Sequence, residues 1–101
     1  MNQMQNMLAQ AQRMQRELAK AQAALAETEF KISKAGIVEV VLMGDKTVKS
    51  INIDKDALDP ENKDMIEETI VMAINEGIEK IAEEEAKVQE KVTGMRGGLP
   101  F

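Results

Sequence analysis

The stretch that decides the fold is MQNMLAQAQRMQRELAKAQAAL, residues 4–25. Its apolar residues recur at alternating intervals of three and four; they are Met4, Met7, Ala11, Met14, Leu18, Ala21 and Leu25. This is the heptad spacing of a helix that packs lengthwise against another helix. The sequence therefore predicts a long helix over residues 2–26 with an apolar stripe. We expect the stripe to be covered by the chain's own second helix and by a second copy of the chain.

Three strands are predicted after this helix. Thr28, Phe30 and Ile32 alternate with polar residues, which indicates a half-buried strand. The run 37–43 is apolar except for Glu39, and residues 47–53 complete an antiparallel meander. Ile51 and Ile53 are predicted on one face of this last strand.

The turns between the strands are also predicted. Ala35-Gly36 joins the first two strands, and Gly44-Asp45 fits a two-residue hairpin whose leading glycine takes a positive φ. The same two-residue alternation places Val48 on the face opposite Ile51.

A second long helix is predicted from Asp59-Pro60 to about residue 93. Asp59 is a typical N-cap, and proline suits the first helical position. Gly77 interrupts the helix and indicates close packing. The predicted class is α+β: α-β-β-β-α, with a three-stranded antiparallel meander and two long projecting helices, forming a homodimer. Residues 1–93 are predicted to be a single domain, and residues 94–101, rich in Gly and Pro, a flexible tail.

Composition excludes most chemistry. The 101 residues include no His, Cys, Tyr or Trp, so the usual general base, thiol nucleophile and soft metal ligands are missing. We expect no enzyme activity, no catalytic residue, no cofactor, no metal site and no small-molecule substrate. The N-terminus lacks the features of a signal peptide, and the longest apolar run is Val40–Met43. We therefore expect a cytoplasmic protein without a membrane partner.

The net charge of −5 is unevenly distributed. Residues 59–101 carry five positive and eleven negative side chains, whereas Arg13, Arg16 and Lys20 share one face of the first helix, opposite the stripe. That face either contacts the phosphates of nucleic acid or is simply solvated, and charge alone favours the solvated surface. With only two phenylalanines there is no stacking platform for single strands, so any nucleic acid is expected to be duplex.

Two further patterns have competing interpretations. The run Glu83-Glu84-Glu85 suggests a cation site, but three consecutive helical residues diverge around the helix, which favours a solvated face. The methionines of the stripe suggest a docking groove, and hence a protein-binding adaptor dimer that does not bind DNA; ordinary packing is favoured. The residues predicted to pack in the dimer or between helices are Met7, Met14, Leu18, Leu25, Ile74 and Ile78.

Segments along nearly the whole chain are similar to the YbaB/EbfC family of bacterial nucleoid-associated proteins. They are MLAQAQRMQ (7–15), GIVEV (36–40), INID (51–54), DMIEE and IVMAINE (64–76), and TGM with GGLPF in the tail. The resemblance implies a homodimer whose sheets associate while paired helices extend as tweezer-like arms. It also implies duplex DNA binding with limited sequence preference, and a role in nucleoid organisation or gene regulation.

Charge then suggests where DNA would be bound. Arg13, Arg16 and Lys20 are the candidate phosphate contacts, with Arg96 in the tail as a fourth. Two departures from the family pattern bear on this. Gly77 stands where alanine is common, which would loosen the second helix, and the acidic second helix would weaken DNA affinity.

Overall fold

The computed structural model describes residues 2–94, apart from the side chain of Thr93. The elements are α1 (Asn2–Ala26), β1 (Glu29–Lys34), β2 (Val38–Met43), β3 (Val48–Ile53) and α2 (Lys63–Thr93), with 3-10 turns at Lys55–Ala57 and Pro60–Asn62. This confirms the predicted α+β class and element order. Residues 95–101, which include Arg96 and most of the predicted tail, lie outside the described residues.

The sheet has the order β1-β2-β3 with both pairs antiparallel, as a meander requires. α2 packs across β1 and β2. The core lies between them: Ile32, Val38, Val40 and Leu42 from the sheet, and Ala73 and Ile81 from the helix, all buried. Because alternate residues of a strand share one face, β2 presents 38, 40 and 42 to the helix.

Gly77 lies where α2 crosses the sheet. It is buried, and a Cβ at this position would come within 2.5 Å of a methyl carbon of Leu42. The close packing predicted for this glycine is therefore confirmed. An alanine would tighten the contact with a fully buried leucine, so Gly77 lets the helix lie against the sheet.

The first turn behaves as predicted, and the second does not. Ala35 and Gly36 both have positive φ, 56° and 66°, and the Ile37 N–H donates to the Lys34 carbonyl at 3.0 Å. In the β2–β3 turn the positive φ of 71° belongs to Lys46, not to Gly44, so the predicted two-residue hairpin is wrong. The Lys46 N–H donates to the Met43 carbonyl at 2.8 Å, which makes a three-residue loop ending in a left-handed residue.

Gly44 is needed for space. A Cβ on it would overlap the carbonyl oxygen of Leu25 and lie 3.2 Å from the nitrogen of Ala26. The Gly44 N–H also donates to the Thr28 carbonyl at 2.9 Å. The glycine therefore holds the end of α1 against the sheet by a backbone contact that no side chain permits.

The face of Val48 differs from the prediction. A register shift between Val41 and Leu42 places Ser50 opposite Val41 but Val48 opposite Leu42. Directly paired residues of antiparallel strands share a face. Val48 therefore lies on the helix side of the sheet, as Ile51 does, because a bulge at Lys49 takes up one residue.

The apolar stripe of α1 is covered over only half its length. α1 runs towards the sheet and α2 runs away from it, so the two packed helices are antiparallel. From Met14 to Ala26 the stripe positions are half-buried, and they face the half-buried positions of α2 between Ile81 and Val92. The expected intrachain partner is confirmed for this part. The residues of α1 before Met14 are exposed and extend beyond α2 by about 18 Å at 1.5 Å per residue.

These helices make the protein elongated. Its Cα atoms span 72 × 22 × 14 Å with a radius of gyration of 19.5 Å. A compact chain of this length would have a radius of about 13 Å. Within residues 2–94 no helix is long and apolar enough to cross a membrane.

The 3-10 turn that leads into α2 begins with a side-chain cap, whereas Asn62, the N-cap of α2 itself, makes no such hydrogen bond. Asp59 Oδ1 accepts a hydrogen bond from the Glu61 N–H at 2.9 Å, and Pro60 opens the 3-10 turn that leads into the helix. The Asp59→Ala variant is expected to lose about 1 kcal/mol of unfolding free energy, measured by urea denaturation, because the donor loses its partner.

Asp56→Ala is the matched control. Asp56 is exposed and carries the same charge, but the cap it neighbours is formed by Asp54. Its removal is expected to change stability by less than about 0.5 kcal/mol. Equal losses from the two variants would show that charge rather than capping is responsible.

Candidate nucleic-acid interface

Arg13, Arg16 and Lys20 form a line on the outer face of α1, which we call the basic ridge. All three are exposed. At about 100° per residue they lie on the side of the helix away from the Met14–Leu18 stripe that faces α2. The ridge is about 10 Å long, a distance over which duplex DNA carries about six phosphate charges. The structure thus brings together three of the four predicted contacts; Arg96 is outside residues 2–94.

The ridge differs from other basic side chains in its surroundings. Within residues 2–94 none of its members forms an ion pair, whereas five lysines elsewhere each pair with a glutamate: Lys34–Glu76, Lys46–Glu85, Lys49–Glu29, Lys63–Glu67 and Lys87–Glu84. The only acidic residue of α1 is Glu17. The three cations are therefore available to an external anion.

The acidic run of α2 is partly neutralised within the chain. Glu84 forms an ion pair with Lys87 at 3.3 Å, and Glu85 forms one with Lys46 at 3.2 Å. The two glutamate side chains are still 44% and 46% exposed and Glu83 is exposed, which agrees with the solvated face predicted for the run. The described residues contain no acidic cluster able to hold a metal ion. The repulsion of DNA by this helix is thus weaker than its formal negative charge alone would predict.

The open face of the sheet is charge-compensated. Lys49 on β3 hydrogen-bonds Glu29 on β1 across the middle strand. This hydrogen bond and the charge of the lysine lower the pKa of the Glu29 carboxyl. A phosphate approaching this face would meet a glutamate beside the lysine, which makes it a poorer anion site than the basic ridge.

A second surface is apolar and lies beside α2. Val48 and Ile51 are 43% and 45% exposed, although both lie on the helix side of the sheet. Glu76 on α2 forms an ion pair with Lys34 on β1, so this flank of the helix faces β1. Ile74 and Ile78 are on the opposite flank, which therefore faces β3. We call these four residues the β3 patch. Ile78 is 37% exposed and Ile74 half-buried.

The sequence interpretation missed half of this patch. It selected Ile74 and Ile78 as packing residues but selected no residue of β3. A helix is about 10 Å wide and strands lie about 4.8 Å apart, so one helix covers two strands. A count of three strands and one covering helix would have left β3 and Ile51 exposed. Val48 joins the patch only because of the bulge, and the sequence gives no sign of that bulge.

The remaining packing residues fall into two groups. Met14, Leu18 and Leu25 are half-buried where α1 meets α2 in the same chain. Met7 is 68% exposed beyond the end of that contact. One stripe in the sequence is therefore two surfaces in the structure.

Known proteins resemble the chain over almost its full length. The sequence model of the YbaB/EbfC DNA-binding family matches residues 1–96. A protein of Enterococcus faecalis is 43% identical over 100 residues, covering 96% of this chain and 95% of its own. Proteins of Ruminiclostridium cellulolyticum and Mycoplasmopsis pulmonis are 36% and 38% identical, over 96% and 94% of this chain and 85% and 92% of theirs. All three are named nucleoid-associated protein.

The matches extend from the first helix through the sheet to the end of the second, so they include both the basic ridge and the β3 patch. They confirm the family predicted from the sequence segments. The chain belongs to the YbaB/EbfC DNA-binding family.

Proposed function

We propose that the protein binds duplex DNA as a homodimer, through phosphate contacts made by the basic ridge of each protomer. The observation that carries the proposal is the line of three exposed cations without ion pairs on a helix that projects from the sheet. Phosphate contacts of this kind hold a duplex without reading its bases. We therefore expect affinity to depend strongly on salt and weakly on sequence.

The β3 patch supports a dimer. The chain has 7752 Å² of accessible surface, whereas a compact monomer of 11.2 kDa has about 5,700 Å². Specific interfaces bury about 800 Å² per partner around an apolar centre. A second copy that placed its own patch against Val48, Ile51 and Ile78 would cover side chains that this chain leaves in water. Such an interface is isologous, the commonest kind in soluble dimers.

The arms would then work as a pair. Each protomer contributes the projecting α1 with its ridge, and joining the two through the sheets gives a tweezer-like dimer with two basic ridges. We propose that the two arms contact one duplex together, which converts two weak contacts into one stronger attachment. The relatives are named nucleoid-associated protein. We extend this to a place on the bacterial nucleoid, in the cytoplasm, and to a role in nucleoid organisation or gene regulation.

Replacing the ridge arginines tests the proposal. The double variant Arg13→Gln/Arg16→Gln removes four cations per dimer without adding bulk or a new charge. Binding to two duplexes of unrelated sequence is measured by fluorescence anisotropy between 50 and 200 mM salt. We expect both affinities to fall, and the slope of log K against log salt to become shallower by about 3 to 4.

A variant of equal charge change is the control. Lys55→Gln/Lys80→Gln removes two exposed cations that lie off the ridge. We expect it to retain more affinity and a steeper salt dependence than the ridge variant. Equal losses of affinity from the two variants would show that only the net charge matters and that the ridge is not a specific contact. Unchanged binding by the ridge variant would move the interface elsewhere.

The protein-binding adaptor retains one supporting observation. Met4 and Met7 are 75% and 68% exposed on an amphipathic helix. An adaptor predicts that the unsubstituted protein gives no anisotropy change with either duplex, even at 50 mM salt. The same titration therefore separates the two functions.

A further inference from the structure

The first ten residues of α1 carry an apolar stripe that nothing in the described chain covers. We call residues 2–11 the α1 tip. Met4, Met7 and Leu8 are 75%, 68% and 60% exposed. The tip is uncovered because α2, after leaving the sheet, packs against α1 only from Met14 onwards.

The stripe of the tip is continuous with the covered part of the same helix. Met4, Met7 and Ala11 keep the three-and-four spacing of Met14 and Leu18, which pack on α2. A stripe of this spacing fits the surface of another helix, because each side chain fits between four side chains of the facing helix. The surface that fits the tip is therefore a helix with an apolar stripe of similar width.

Charge narrows the choice of partner. Residues 2–12 contain no Asp, Glu, Lys or Arg, and the first charge of the helix is Arg13. A tip without cations is poorly suited to phosphates or to an anionic lipid surface, both of which attract basic helices. Two identical uncharged tips do not repel each other, and each offers the other the stripe that it needs.

We infer that the α1 tip of one protein packs antiparallel against the α1 tip of a second copy, with Met7 and Leu8 at the centre of the contact. The inference goes beyond the DNA-binding proposal and does not depend on it. In the dimer proposed above each molecule has two tips, so tip pairing would also link dimers. Such links raise the effective concentration of neighbouring dimers wherever they lie side by side.

Cross-linking tests the contact, since the chain has no cysteine of its own. Met7→Cys places a single thiol on the stripe. Ala9→Cys places one about 200° further around the same helix, where it is exposed. Each variant is treated with a short bismaleimide in the absence of DNA, and the two-chain product is followed on a denaturing gel. We expect Met7→Cys to cross-link at least tenfold faster than Ala9→Cys.

A second substitution and a reagent control complete the test. Adding Leu8→Glu to Met7→Cys is expected to return cross-linking to the rate of Ala9→Cys, because two like charges would face each other across the contact. At a protein concentration low enough to separate the copies, a monofunctional maleimide should label both thiols at similar rates. Equal cross-linking at positions 7 and 9 would overturn the inference. If labelling at position 7 stays slower at this dilution, the inference is also overturned, since the stripe would then be covered within its own chain.

DNA titrations of the same variants keep the two proposals separate. If Met7→Cys cross-links rapidly while the unsubstituted protein fails to bind duplex DNA, tip pairing stands and the DNA proposal fails. If DNA binding is intact and the two thiols cross-link equally, the reverse holds.

Discussion

Gly44→Ala is expected to lower the free energy of unfolding by about 3 kcal/mol, the upper end of the usual cost of overpacking. The added Cβ would lie 2.5 Å from the carbonyl carbon of Leu25 and overlap its oxygen. Both are backbone atoms, so no side-chain rotation relieves the clash and the end of α1 must move. Measured by thermal unfolding at one protein concentration, the midpoint should fall by about 12–20 °C.

Gly36→Ala is the matched control for this prediction. Gly36 has a φ of 66°, and a Cβ on it would meet nothing within 4 Å. Its cost is therefore that of a left-handed alanine, about 1–2 kcal/mol. Asparagine tolerates this conformation, so Gly36→Asn should cost less than Gly36→Ala, whereas Gly44→Asn should cost at least as much as Gly44→Ala. The opposite order at position 44 would show that its glycine serves conformation rather than space.

Ile51→Asp is expected to convert the proposed dimer to monomers and to weaken duplex binding at least about 100-fold, since the gain from two linked arms is lost. Ile51 lies on β3 in the exposed β3 patch, where a second copy would desolvate the new carboxylate without a partner. Sedimentation or light scattering gives the mass, and fluorescence anisotropy gives the affinity.

Ser50→Asp is the control for the Ile51 variant. It adds the same charge on the neighbouring residue of β3, but on the open face, opposite Val41. It should remain dimeric, and far-UV circular dichroism should show both variants folded. If Ile51→Asp is folded and still dimeric, the β3 patch is not the interface between copies.

Much of the fold follows from local pattern. The heptad spacing from Met4 to Leu25 predicts α1. The Asp59-Pro60 pair predicts the start of the second helical segment within a few residues. Both signals depend on spacing and capping, which are properties of neighbouring residues. The basic ridge is likewise a matter of spacing, since Arg13, Arg16 and Lys20 share a face on any helix.

Other features depend on residues far apart in sequence. In the sequence Gly44 indicates only a turn. Its role depends on Leu25, whose backbone approaches it only when α1 folds onto the sheet. Val48 changes face because a bulge alters its pairing with Leu42. Neither contact leaves a trace in the local pattern, because each arises between elements rather than within one.

By itself, the sequence determined the helices, the strand order along the chain, the family and the line of cations on α1. Only the tertiary structure decided which apolar residues remain exposed. The stripe from Met4 to Leu25 is uniform in sequence, yet α2 covers its second half and leaves Met4 and Met7 in water. One helix is also too narrow to cover three strands, which exposes Ile51. The physical reason is that burial depends on the length and width of the packed elements, and these are set only when the elements meet.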